Sequence, residues 1–494
     1  MKAQELLHGL FPTQAIPDIE IGSLTENSCL ADSRAVFVCI CGAHSDGHRF
    51  APDAYRRGCR IFVAQKELAL PDNAWVFRCP DTRQALAVLA ATFYGEPSKK
   101  MHLIGITGTK GKTTTAQLLS HILNQTGIAC GYIGTNGICY GRVQKSTANT
   151  TPDAVTLQKN LREMLTSGIK TAVIEVSSQA LLQHRVAGTH FESVVFTNLF
   201  RDHIGTNEHP DFDNYKSCKH RLFTDFGAKN FICNTDDPAT AEMLDGTSAE
   251  QIISCSMCRD GADFYADRLQ LFNDEKSFGI FFMFQSDQTS VPCKLPLTGK
   301  VNAANALLAT AVANRVFDIP LDSIAHTLAD AAVAGRSEVI PLPNGARAVI
   351  DYAHNGESLA QLLITLREYS PARLIVLFGS VGERSQMRRE ELGTVAAKHS
   401  DLAILTSDNP GNEAPEVIIA EIAKAFVGAS TPYLCIPDRA EAIRAAVDLT
   451  KKGDILVLAG KGHEDYQLIG NRKLPFCEKK ILLEAAKKQT IFPL

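Results

Sequence analysis

The sequence predicts an α/β protein of three domains built on parallel sheets. Three observations lead there. Short apolar runs alternate with helix-length amphipathic segments through most of the chain. One of those runs ends in a glycine-rich turn followed by Lys-Thr, and the alternation starts afresh after about residue 98 and again near Gly335. A chain of 494 residues is also too long for a single core. The expected boundaries are 1–98 for a small N-terminal α/β domain, 99–333 for a central phosphate-loop domain and 334–494 for a C-terminal Rossmann-like domain.

The elements follow in order. In the first hundred residues AVFVCICG, CRIFVAQ and AWVFRC have strand composition, and APDAYRRG and TRQALAVLAATFYG have helix patterning. The polar, proline-containing GEPSKKM at 95–101 suits a linker. HLIGIT, TAVIEV, SVVFTN and NFICNT then read as buried parallel strands joined by crossover helices. A more β-like stretch, ADFYADRLQLFNDEKSFGIFFMFQ, interrupts them before the helix VNAANALLATAVANRVF. In the last domain ARAVIDYA, RLIVLFGS, LAILTSD and DILVLAG are strands, with helices between them.

Composition narrows the function. Apolar residues at 45% and charged residues at 21% are ordinary for a globular protein, and a net charge of −4 argues against a nucleic-acid or membrane surface. With no apolar run of membrane-spanning length and no apolar leader in MKAQELLHGLF, a cytoplasmic protein is expected. The fourteen cysteines have no framework spacing and read as reduced, mostly buried thiols. The lone C-x-x-C, Cys255 to Cys258, reads as core cysteines carried by a strand rather than as half a zinc site.

Residues 103–115, LIGITGTKGKTTT, carry the first chemistry. Gly108 and Gly111 let the backbone curl around a phosphate with Thr109 and Lys110 between them. Lys112 supplies a compact positive charge, Thr113 offers a hydroxyl to magnesium, and Thr114 continues into a helix. Ile106 stands where the commonest spacing has its first glycine. The strand before the turn and the helix after it still make this a nucleoside triphosphate site, with ATP expected.

Further polar residues sit where strands end, which is where ligands of parallel sheets bind. Glu175 closes TAVIEV and is placed to meet magnesium, although a carboxylate there could also cap the next helix. SVVFTN runs out into Arg201, Asp202 and His203. The C-terminal domain repeats the arrangement four times, at Asp351–His354, at Gly379–Arg384, at Asp408–Pro410 and at Gly460–Glu464.

Together, GTKGKTT, NTTPD, EVSSQALLQHR, TNLFRDH, the Y-x-x-x-K ending at Lys219, LTGKVNAAN, GRSE, DYAH, DNP and GKGHE resemble the Mur ligases, in the family's order and over nearly the whole chain. The resemblance is to the members that add the third residue of the peptidoglycan stem peptide. It implies ATP-dependent amide formation on UDP-MurNAc-L-Ala-D-Glu through an acyl phosphate, with ATP and Mg2+ as cofactors and a free amino acid as second substrate. It also implies a UDP-binding N-terminal domain. A monomer is expected, since one chain carries the whole site.

By the same resemblance Lys112, Glu175, His203 and Lys219 carry catalysis, and Thr113, Glu175, His203 and a carbamylated Lys219 surround the metal. Asn302, Arg336, Asp351 and His354 join residues 108–114 around ATP. Ser28, His44, Ser45, Asn149, Thr150, Thr151, Ser177, Gln183 and Arg185 bind the UDP substrate; Ser33, in Asp-Ser-Arg, competes with Ser28 for its role. Arg384, Asp408, Asn409, Pro410, Gly411, Gly460 and Glu464 select the amino acid.

Three departures from the family pattern stand out. The stretch GTNEHPDF lengthens the spacing between His203 and Lys219, and Gln179 follows the serine pair where many members have histidine. Diaminopimelate-adding members have arginine where this chain has Gly411, which turns the expectation toward L-lysine over meso-diaminopimelate. A folylpolyglutamate- or cyanophycin-type ligase and a non-catalytic sensor of cell-wall precursors are the competing readings. The N-terminal domain and GKGHE weigh against the former, and intact Lys112, Thr113, Glu175 and Lys219 against the latter.

Overall fold

The structure, a computed structural model, describes all residues except 43–44, 206–207, 259–260, 275–276, 287–288, 384–385 and 492–494. Two compact units divide the chain: residues 1–265 with 304–324, and residues 266–303 with 325–494.

The first unit holds two sheets. The four strands Ser23–Thr25, Ala35–Val38, Ile61–Ala64 and Trp75–Arg78 lie side by side, all parallel. The larger sheet has a parallel core in the order Gln251–Ser256, Asn230–Asn234, Ser193–Phe196, His102–Thr107, Thr171–Glu175 and Cys130–Gly134. The antiparallel strands Gly137–Tyr140 and Val143–Lys145 extend it at one edge. His102–Thr107 is thus interior to the sheet, and Leu103, Ile104 and Ile106 are at most 1% exposed. Burying such side chains contributes about 1.5–3 kcal/mol each. An all-apolar strand is what a parallel sheet covered on both faces requires.

Helix Lys112–Gln125 follows that strand, and helix Ala154–Thr166 is capped by Asp153, whose side chain accepts from Thr156 N. Asp211 likewise caps Phe212–Thr224, which carries Tyr215 and Lys219 one turn apart on one buried face.

The second unit is built on a six-stranded sheet ordered Glu338–Pro341, Arg347–Asp351, Ile455–Ala459, Leu374–Phe378, Leu402–Leu405 and Tyr433–Cys435. All its pairings are parallel except the first. Phe278–Ser286 and Thr289–Leu295 form an antiparallel pair in this unit. Each of the three expected domains therefore contains one principal sheet.

Two local expectations change. GEPSKKM is no free linker, because Pro97–Lys100 is a 3-10 turn with Pro97 and Ser98 buried. Cys255 is buried in its strand, but Cys258 lies beyond the strand end and is exposed; half of the fourteen cysteines are buried rather than most. Among the described residues, no helix is long and apolar enough to cross a membrane.

Candidate active site

The phosphate loop forms as its sequence requires. Gly111 takes φ +85° at the start of helix Lys112–Gln125, and a Cβ there would collide with Asn305 Oδ1. The loop is fastened from the neighbouring strand end: Thr109 N donates to Asn198 O (2.9 Å), Lys110 N to Asn198 Oδ1 (2.9 Å), and Thr197 Oγ1 to Lys110 O (2.6 Å). Lys112 Nζ folds back onto the carbonyls of Gly108 (2.7 Å) and Thr109 (3.0 Å). The helix N-terminus and the ammonium thus share one concavity, an arrangement suited to phosphate.

Glu175 is fully buried at the end of the adjacent strand. Its Oε1 accepts from Tyr132 OH (2.5 Å) and Thr135 N (3.0 Å), and its Oε2 from Thr113 Oγ1 (2.8 Å) and Thr135 Oγ1 (3.2 Å). It caps no helix; Ser177 does, accepting from Ala180 N. Burial, and then the Glu175 charge, push the Tyr132 phenol well above its ordinary range, so it stays a donor. Thr113 and Glu175 present an all-oxygen donor pair, which fits magnesium.

Lys219 is 1% exposed; its Nζ lies 4.6 Å over the Tyr215 ring and donates to Gly108 O at 2.8 Å. Burial, reinforced by the Lys112 charge, holds its amine well below the usual lysine range. Tyr215 OH donates to Thr109 Oγ1 at 3.1 Å, which ties the Lys219 helix to the loop. His203 reaches this group only by its ring, whose centroid lies 5.9 Å from that of Tyr215. It has a left-handed backbone (φ +57°), stands exposed, and its Nδ1 faces Glu208 Oε1 at 3.2 Å. The nearby Lys110–Asp202 pair (2.9 Å) sets another charge: burial pushes the Asp202 carboxyl up, but Lys110 and His203 outweigh it and leave it low.

The residues expected to hold the UDP substrate converge in part. Thr151 Oγ1 donates to Glu175 O (2.7 Å) and accepts from Ser177 N (3.0 Å). Arg185 donates to Thr151 O (2.8 Å) and to Gln183 Oε1 (2.8 Å), and Thr150 meets Thr135 at 3.1 Å. Asn149 is exposed beside them. In the small sheet, Ser28 follows the carboxyl end of Ser23–Thr25 and Ser45 follows that of Ala35–Val38, whereas Ser33 precedes its strand and packs by Gly58 at the opposite edge. His44 lies outside the described residues.

Cys41, Asp46 and His48 cluster near Ser45 with ligand atoms within 4.8 Å. However, Gln65 N donates to His48 Nε2 (3.1 Å), which leaves the proton on Nδ1 to bond Asp46 (2.6 Å), and Lys66 holds the other Asp46 oxygen (2.7 Å). This is a hydrogen-bonded brace rather than a vacant metal cage.

In the second unit the four strand ends do meet on one edge. Gly382 N donates to Asn409 O (2.9 Å) and Gly460 N to Asp351 O (3.1 Å). Burial raises the Asp351 carboxyl against the pull of Arg336, and its oxygens accept from Ser337 N (2.7 Å) and Ala353 N (2.8 Å). The Arg336 guanidinium lies 4.9 Å over the Tyr352 ring, and His354 Nδ1 meets Tyr352 O at 2.9 Å. Asn302 is buried and donates to Thr298 O at 2.7 Å.

At the same edge Lys461, 0% exposed, bonds Asn409 Oδ1 (3.0 Å) and Glu464 Oε2 (2.9 Å) and pairs with Asp408 Oδ1 (3.5 Å). Arg439 pairs with Glu478 (2.7 Å) and clamps the carbonyls of Ser407 (2.9 Å) and Ala459 (2.8 Å), bracing two strand ends. Pro410 and Gly411 continue the Asp408–Asn409 loop, with Gly411 at φ +59°. Arg384 lies outside the described residues.

Sequence reasoning missed Tyr132, Thr135, Asn198, Asn305, His209, Lys461 and Arg439. Lys461, Asn305 and Asn198 lay inside quoted motifs, which was the available signal. The others carry none. His209, fully buried between Ser178 Oγ (2.9 Å) and Asn214 Oδ1 (2.8 Å), reads in sequence as a loop histidine.

Residues 106–313 match the model of the Mur ligase middle domain, and residues 335–462 that of the Mur ligase, glutamate ligase domain. A UDP-N-acetylmuramoyl-L-alanyl-D-glutamate--2,6-diaminopimelate ligase of Geobacillus kaustophilus is 35% identical over 95% of this chain and 96% of its own length. The chain belongs to the Mur ligase family. A Chlorobium phaeobacteroides protein of the same name is 39% identical over 94% of this chain and 93% of its own length. A solved structure of such a ligase covers 99% of both chains with TM-score 0.72 at 29% identity. This Mur ligase is accordingly an ATP-dependent, amide-forming enzyme with the family's three-domain α/β fold. The expectation of L-lysine finds no support among these relatives, which carry 2,6-diaminopimelate in their names.

Proposed function

We propose that this Mur ligase joins meso-diaminopimelate to UDP-N-acetylmuramoyl-L-alanyl-D-glutamate, with ATP cleaved to ADP and phosphate. The observation that carries the reading is full-length similarity to ligases of that name, at 35% and 39% identity. Gly411 removes one guanidinium, but the amino acid meets several strand ends, so the loss of that one group does not by itself exclude diaminopimelate.

In this reading the substrate carboxylate attacks the γ-phosphate, ADP leaves, and the amine displaces phosphate from the acyl phosphate while losing a proton. Lys112 and the N–H groups of the 108–114 turn hold the phosphates in line, which lowers the barrier by positioning and charge neutralisation. Thr113 and Glu175 would hold magnesium, which supplies positive charge to the phosphate oxygens when bound. Lys219, whose amine burial holds well below the usual lysine range, can in its neutral form add CO2 through its nitrogen lone pair and shed a proton, exchanging an amine for a carbamate oxygen donor. His203, its ring beside Tyr215 and its Nδ1 on Glu208, would meet the metal by exchanging the Glu208 contact.

Ser28, His44 and Ser45 take the uridine end; Asn149, Thr150, Thr151, Ser177, Gln183 and Arg185 take the muramoyl dipeptide. Asn302, Arg336, Asp351 and His354 serve the nucleotide. Arg384, Asp408, Asn409, Pro410, Gly411, Gly460 and Glu464 serve the amino acid. Domains at 1–98, 99–333 and 334–494, a monomer and a cytoplasmic setting complete the proposal.

Phosphate release from ATP with magnesium, the UDP-dipeptide and single amino acids tests it. Release with diaminopimelate is expected. An absence of release with every amino acid tried overturns the ligase reading, and release with another amino acid alone overturns the specificity.

A further inference from the structure

We propose that Glu383 determines specificity in this ligase by receiving the distal ammonium of the incoming diamino acid. The proposal rests on the assignment of residues 408–411 to the amino acid.

Residue 411 offers no side chain, and the space beside it is taken by a carboxylate. A Cβ built on Gly411 would lie 3.3 Å from Glu383 Oε2. The carboxylate is aimed, because Asn412 Nδ2 donates to Glu383 Oε1 at 2.9 Å and leaves Oε2 on the Gly411 side. The loop is held against the Asp408–Gly411 turn by Gly382 N on Asn409 O (2.9 Å), and that turn is pinned by Gly411 N on Leu468 O (3.1 Å) and Gly470 N on Gly411 O (2.7 Å). Glu383 itself has φ +57°, a left-handed conformation unfavourable for a residue with a Cβ. Such strain persists where surrounding contacts over-determine it, commonly at ligand sites.

Charge makes the carboxylate informative. The Lys461 ammonium is already shared among Asp408, Asn409 and Glu464. The next acidic residue, Glu413, is engaged by the buried Arg389 guanidinium. Among the described residues Glu383 meets a neutral amide rather than a cation, and it is exposed to an arriving ligand. A carboxylate so placed attracts an ammonium and repels a lone carboxylate. The distal end of diaminopimelate carries both groups, so Glu383 reads the first.

The test is steady-state phosphate release by the full-length enzyme with ATP, magnesium, the UDP-dipeptide and either meso-diaminopimelate or 2-aminopimelate, which keeps the distal carboxylate and lacks the distal ammonium. The wild type should favour diaminopimelate by about 10- to 100-fold in kcat/KM, mostly through KM. Glu383→Gln should raise the diaminopimelate KM by a similar factor and erase that preference, with the KM for ATP and the Tm unchanged. Glu383→Lys should turn the preference toward 2-aminopimelate. A wild-type KM for diaminopimelate in Glu383→Gln, a preference that survives the substitution, or a parallel loss of Tm and ATP affinity overturns the proposal. A wild type inactive with diaminopimelate overturns the underlying reading and this proposal together, which separates that failure from a Glu383 variant indistinguishable from an active wild type.

Discussion

Lys219 and Lys461 are buried to the same degree, 1% and 0% exposed, in opposite surroundings. Lys219 finds a carbonyl, a phenol ring and a second lysine nearby, and desolvation and the Lys112 charge outweigh the Asp202 charge and hold its amine well below the usual range. Lys461 sits among Asp408, Asn409 and Glu464, which compensate an ammonium directly. Burial alone therefore does not specify what a lysine does. An amine whose charged form is disfavoured is available to react as a nucleophile, whereas one bonded directly to carboxylates is a structural cation that locks neighbouring side chains.

The same substitution at both sites should break this symmetry. Lys461→Met leaves buried carboxylates without their partner and should cost about 3–5 kcal/mol, read as a lower denaturant midpoint for the second unit. Lys219→Met removes an amine that burial already disfavours. It should shift the midpoint by less than about 1 kcal/mol while cutting phosphate release by at least about 100-fold. Partial rescue of Lys219→Ala by short-chain carboxylic acids would mark a carbamate role, and full activity without rescue would exclude it.

A smaller effect tests the neutral donors around Glu175. Tyr132→Phe deletes one of its four hydrogen bonds and should cost about 1–2 kcal/mol in stability, with a raised KM for ATP.

The subtlest test uses pH. With its folded-state pKa lowered, Lys219 binds more protons in the unfolded chain than in the folded one, at pH values between the folded pKa and the ordinary value near 10.5. Its contribution should therefore make wild-type stability rise with pH across that window, relative to Lys219→Met. Urea midpoints from pH 7.5 to 10 would show the difference; parallel curves would mean that Lys219 is charged when folded.

Much of this was legible in the chain itself. The phosphate loop, Glu175 and the four C-terminal strand ends announce themselves because a parallel sheet gathers functional groups at its carboxyl edge, and short apolar runs mark where each strand stops. Spelling alone did not show where Ser28 and Ser33 fall; in the fold Ser28, like Ser45, follows the carboxyl end of a strand, whereas Ser33 precedes one. His203 carries the expected motif, and its two contacts, the Glu208 carboxylate and the Tyr215 ring, could not be read from the sequence.

By itself the sequence determined the α/β class, the order of the strands along the chain and the residues that end them, since apolar periodicity and turn chemistry are local properties. Only the tertiary structure decided which polar groups compensate one another. Tyr132 and Thr135 reach Glu175 across about 40 residues of chain, Tyr215 reaches Thr109 across 106, and Arg439 reaches Glu478 across 39. Those pairings depend on strand order and register, which no local pattern encodes, and they separate a lysine whose charge burial disfavours from one held by carboxylates.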